Sequence, residues 1–133
     1  MSVMILVTLV LWLLAAYHIV MGAVALFAPD LASRMVASLY GASVVASAQQ
    51  RYMTSMIGAL ALAIGGLAAV AAQRPYDNRA IIAAFLVLQL FRTFCRVRDR
   101  RVLAESFGVS GRANATAIAV LGAESVVLLL GLR

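Results

Sequence analysis

"NATAIAVLGAESVVLLLGLR", residues 114–133, is nearly continuous hydrocarbon with one carboxylate, Glu124, near its centre. A helix rises about 1.5 Å per residue, and about 20 apolar residues cross the hydrocarbon core of a bilayer. The stretch therefore reads as a transmembrane helix carrying an acid. An unpaired charge at mid-bilayer costs at least about 2.5–3.5 kcal/mol on insertion scales. Glu124 must face neighbouring helices, be protonated, or contact another subunit.

The rest of the chain supplies those neighbours. Residues 3–28, 52–72 and 80–97 are further apolar runs, and the last span extends over 113–132. The third run is short; Arg92 and Arg96 lengthen it if they snorkel to the headgroups. The opening segment lacks a basic n-region and its apolar run is too long for a signal peptide, so it is expected to stay as a helix. Between the first two spans lies a segment too short and polar to cross. Leu31, Met35 and Leu39 recur there at helical spacing, which predicts an amphipathic interfacial helix over about 30–40 with Asp30 as its N-cap. A re-entrant segment over 30–48 is the alternative. In "QRPYDNR" (73–79), Asp77 or Asn78 is expected to cap the third span. The predicted fold is thus one all-α membrane domain spanning 1–133, a four-transmembrane-helix bundle with a short interfacial helix after the first span.

Composition agrees. The chain is 65% hydrophobic and 12% charged, whereas a soluble domain is about half apolar and about a quarter charged. Its formal charge of +6 comes from arginine alone, since the sequence contains no lysine. The arginines cluster between hydrophobic segments without interleaved aromatics, so anionic lipid headgroups rather than nucleic acid are the expected partner. Arg96, Arg98, Arg100 and Arg101 read as a cytoplasmic basic anchor. Only Arg74, Arg79 and Arg133 lie on the other side, so the positive-inside rule predicts both termini outside the cytoplasm.

Cys95 is the single cysteine and His18 the single histidine. A disulfide framework, a His/Cys zinc site and a bis-histidine haem within one chain are excluded. Cys95 is expected to be a packing residue. No metal and no cofactor are predicted, with a bound lipid or quinone as the alternative. The sequon-like Asn114-Ala-Thr116 falls on the predicted cytoplasmic side and reads as coincidence.

Depth matching places His18 of the first span, Gln89 and Arg92 of the third and Glu124 of the fourth at one level. Phe85, Gln89, Arg92 and Arg96 share a helical face. The expected arrangement is a bidentate Arg92–Glu124 pair with Gln89 as an extra donor, bordered by Tyr17, Arg51, Tyr52 and Ser55. Three roles suit such a cluster: a structural lock, the polar floor of a lipid or small-molecule cavity, or a proton- or substrate-handling centre. The second span carries a stripe of small residues, Gly58, Ala61, Gly65 and Ala68. Such stripes promote close helix packing, within the chain or against a second subunit.

On "QQRYMTSMIGALALAIG", "LFRTF" and "AESVVLLL", the chain resembles small bacterial four-helix membrane proteins of unknown function near the DoxX-like group. The resemblance implies a four-helix integral membrane fold in the bacterial inner membrane and no particular activity. Small multidrug-resistance transporters differ in placing their essential glutamate in the first span, where this chain has His18. Membrane-associated glutathione-handling enzymes differ after Arg51, where this chain has Tyr52, Thr54 and Ser55.

With little chemistry and ample packing surface, the expected role is non-catalytic: an accessory or structural subunit of an inner-membrane complex, or a homo-oligomer. The alternative is a small membrane enzyme or carrier holding a quinone, isoprenoid or lipid at His18, Arg92 and Glu124. A dimeric transporter ranks third.

Overall fold

The computed structural model describes residues 3–41 and 47–133. Apolar runs become helices because lipid offers the backbone no hydrogen-bonding partner, so each N–H and C=O must be satisfied within its own segment. Four helices are long and apolar enough to cross a membrane. They are α1 (Val3–Phe27), α3 (Ala48–Gln73), α4 (Arg79–Arg98) and α6 (Gly111–Gly131). Two shorter ones join them, α2 (Pro29–Tyr40) and α5 (Arg100–Phe107). The all-α, four-span architecture is as the sequence predicts.

Local chemistry sets the boundaries. α1 stops where Pro29 removes an amide donor and restricts the residue before it, and the same proline opens α2 at a position that suits it. Contrary to the expectation from sequence, Asp30 does not cap α2; Ala28 occupies that position without a side-chain bond. Asp30 lies in the first turn instead, and its carboxylate accepts from Arg51 Nε at 2.9 Å. α2 ends at Gly41, whose φ of 63° suits glycine. Part of the segment 30–48, residues 42–46, lies outside the described residues.

α3 begins four residues earlier than its apolar run, because Ser47 accepts from the Gln50 amide. Ser110 caps α6 in the same way, accepting from the Ala113 amide. Neither expected cap of α4 acts as one: Asn78 occupies the N-cap position, but its side chain donates to the Arg74 carbonyl.

The helix α5 was not anticipated within the arginine-rich loop. Asp99 precedes it without capping it, because both carboxylate oxygens accept from Arg98 at 2.8 Å. That paired guanidinium holds the Asp99 carboxyl below the usual carboxylate range. Gly108 closes α5 at φ 68°, and the buried Val109 returns its amide to the Leu103 carbonyl.

Packing is uneven. α1 lies along nearly the whole of α3, and α4 pairs with α6; α1 meets α6, while α3 and α4 touch sparsely. The small-residue stripe lies within the chain. Glycines 58 and 65 meet the backbone of α1 around Gly22, Ala25 and Ile19, and Ala68 continues the contact into the core. One half of the bundle closes over Val7, Leu11, Ile82, Phe85 and Leu128, all buried. The other half, at the arginine-rich end, is hollow. Outward faces remain apolar: Val20, Phe27, Leu67 and Phe91 are all largely exposed, as helices covered by lipid require. Cys95 is on this exposed surface, not in the packing expected of it.

Candidate functional site

Where the closed half gives way to the hollow one, α4 presents Gln89, completely buried. It stands one turn beyond Phe85 of the core, on the face that continues to Arg92 and Arg96. Gln89 answers Glu124 directly: its Nε2 donates to the Glu124 carboxylate of α6. Its Oε1 accepts from Arg92 Nη1 at 3.2 Å. The amide has only one sensible orientation here, since its NH₂ must face the acid and its oxygen the guanidinium. The backbone carbonyl of Gln89 also accepts from Thr93 Oγ1 at 2.9 Å.

The bidentate Arg92–Glu124 pair expected from sequence is therefore corrected to a relay, Arg92 to Gln89 to Glu124. Ion pairs within 4.0 Å among the described residues are Arg51–Asp30 and Arg98–Asp99. Arg92 sits one turn nearer the arginine-rich end than the acid. A glutamine at the level of the acid completes the bond while the guanidinium stays further out.

Two cavities flank the relay. The larger, about 720 Å³, lies between α1, α4 and α6, with Leu39 of α2 also lining it. Its walls include Leu13, Leu14, Val120 and Leu121, with Glu124 and Arg92 at the deep end and Arg96 and Arg112 nearer the mouth. The lining thus carries three arginines and one carboxylate. The smaller, about 500 Å³, lies between α1, α2, α3 and α4. Tyr17 and Arg92 line both.

His18 belongs to the smaller cavity, and its ring contacts are with Leu14 and Tyr17 rather than Glu124. Its ring is 7% exposed, its Nδ1 lies 2.8 Å from the Leu14 carbonyl, and Tyr17 meets it edge-on with ring centroids 5.1 Å apart. The expected four-residue cluster is thus a bonded trio, with His18 across Arg92 in the neighbouring space.

Of the expected border, Tyr17 is present. Arg51 is turned away to Asp30 at the exposed surface, Tyr52 is 65% exposed, and Ser55 lines neither cavity. Their places are taken by Gln50 and Thr54. Both lie on the face found by stepping back from Gly58 by four and eight residues, so the small-residue stripe carried the signal. Of the expected basic anchor, Arg98 is paired with Asp99 and lies 5.4 Å from the Phe94 ring centroid, and Arg100 and Arg101 are exposed. Arg96 turns inward: its Nη1 donates to Asn114 Oδ1 at 3.1 Å, and Asn114 Nδ2 donates back to the Arg96 carbonyl at 3.2 Å. Asn114 is consequently buried, with its amide committed to α4.

The fold and this site define a four-span, all-α membrane protein with a polar relay at the junction of a packed and a hollow half. No family model, curated protein or solved structure matches the chain.

Proposed function

We propose that this protein is a non-catalytic, multi-pass protein of the bacterial inner membrane that holds an anionic single-chain amphiphile in its larger cavity. The observation that carries the reading is the polarity of that space. Its walls are apolar along α1 and α6, while Arg92, Arg96 and Arg112 supply three cations. A cavity of about 720 Å³ falls within the range of about 300–1,000 Å³ that suits small ligands. Guanidinium groups bind phosphate and carboxylate heads through directed, charge-assisted bonds, and the arginine-rich end fits a cytoplasmic, anionic membrane face. Glu124 narrows the choice, because its charge penalises a second anionic group at the deep end.

Glycines 58 and 65 of the small-residue stripe pack against α1 within the chain, so those two positions offer no surface to a partner subunit.

Purification in mild detergent, followed by mass spectrometry of protein and extracted lipid, tests the reading. An acidic amphiphile should accompany the chain, and Arg112→Gln should lower its retention about tenfold, the worth of one charge-assisted hydrogen bond. A pure polypeptide without any amphiphile, or stoichiometric partner proteins in its place, would count against it. A carboxy-terminal reporter that is active only outside the cytoplasm should be active; an inactive reporter on a correctly inserted chain would reverse the orientation.

A further inference from the structure

We infer that the smaller cavity is a second ligand site, for a neutral single-chain molecule whose hydroxyl group donates to His18 Nε2. This does not depend on the larger cavity being occupied.

The ring itself sets the chemistry. A carbonyl oxygen only accepts, so His18 Nδ1, 2.8 Å from the Leu14 oxygen, carries the proton. In the neutral imidazole, Nε2 is then an acceptor. Among the described residues, the Leu14 carbonyl is the only hydrogen-bond partner of the ring. Yet no fully buried side-chain nitrogen among those residues is left unsatisfied. Nε2 therefore opens onto space, and the space His18 lines is the smaller cavity.

The surroundings choose the rest of the molecule. Among the described lining residues there is no carboxylate, so a cationic ligand would find no counter-ion. Among the described lining residues Arg92 is the one arginine, whereas the larger cavity shares it and adds Arg96 and Arg112. An anion is better served next door. Ile57, Leu60, Ile64 and Leu88 offer an apolar track. Ile57 and Leu60 are also 60% and 64% exposed on the outer face of α3, and α3 touches α4 only sparsely. The cavity thus opens sideways towards the acyl chains, and a molecule dissolved in the bilayer can enter without crossing water. A quinone presents only acceptors and would set lone pairs against Nε2; an alcohol supplies the missing donor.

The experiment uses the whole protein in phosphatidylcholine nanodiscs, with hexadecanol and hexadecyl phosphate each carrying a diazirine on the chain. After irradiation, the alcohol should label α3 at Ile57, Leu60 or Ile64, and the phosphate should label Leu13 or Val120. His18→Phe should reduce alcohol labelling of α3 about fivefold, the worth of one neutral hydrogen bond, and leave phosphate labelling unchanged. A competition needs no variant: unlabelled hexadecanol should displace the alcohol probe about fivefold better than hexadecyl methyl ether, which lacks the donor. Equal competition by the ether, an unaffected His18→Phe, or one labelling pattern for both probes would overturn the inference. Loss of phosphate labelling alone would sink the function proposed for the larger cavity and leave this site standing.

Discussion

Gln89→Leu is expected to destabilise the bundle by about 2–3 kcal/mol, while Gln89→Leu combined with Glu124→Leu should recover most of that loss. The glutamine side chain is wholly buried and is the direct partner of both the acid and Arg92. Leucine keeps comparable bulk and removes both bonds. A hydrogen bond between membrane helices is worth about 0.6 kcal/mol on average and up to about 1.7, so the bond to Glu124 alone does not account for the expected loss. The larger part comes from abandoning ionisable groups in a half-buried position, which costs about 1–3 kcal/mol and more for a charge.

The double variant separates these two contributions. With Glu124 also replaced, no acid is left behind, and Arg92 still faces the larger cavity. Stability should return to within about 1 kcal/mol of the parent, as seen when both partners of a buried polar pair become apolar. Helicity followed through a titration from mild detergent into dodecyl sulfate gives the four corners of the cycle. A double variant as unstable as the single one would mean that Gln89 matters for its shape, and the relay would lose its meaning.

How far the sequence revealed this site depends on the kind of information. The number of spans was legible, because apolar run length is a direct measure of bilayer thickness. Depth was legible too: counting along α4 and α6 brought Gln89 level with Glu124, and those side chains bond. The order of importance was misread, since ranking by charge favours Arg92, whereas reach at a given depth favours the amide beside the acid. Arg96 shows the same conflict. Its helical face placed it with Gln89 and Arg92, its neighbours in "RVRDRR" suggested a surface anchor, and the face was the better guide. The cavities were not legible, because they arise from how far α3 stands from α4 and α1 from α6. No local pattern encodes that separation. α5 was hidden by its arginines, although Gly108 followed by the apolar Val109 marks where it stops.

Gly58→Ala should produce a larger loss than any substitution in the relay, more than about 3 kcal/mol. An added Cβ at this position would stand 2.5 Å from the Leu26 nitrogen, 2.8 Å from the Gly22 oxygen and 2.9 Å from the Ala25 carbonyl carbon. All three are backbone atoms, so no rotamer change relieves the clash; α1 and α3 must move apart along their seam. Gly65→Ala meets Ile19 Cγ1 at 2.7 Å and the Ile19 nitrogen at 2.9 Å, a less confined position because one obstacle is a side chain. Gly66→Ala and Gly122→Ala meet nothing within 4 Å. Those two should leave stability unchanged or raise it by up to about 1 kcal/mol through helix propensity. Unfolding of all four variants in the same dodecyl sulfate titration orders them, and a Gly58→Ala protein as stable as Gly66→Ala would refute the close α1–α3 contact. The two cavities should also respond differently. α3 forms a wall of the smaller cavity and contributes nothing to the larger. Where Gly58→Ala still folds, capture of the alcohol probe should therefore fall before capture of its phosphate, because the displaced helix carries the track beside His18 and leaves the arginine-lined space between α1, α4 and α6 in place.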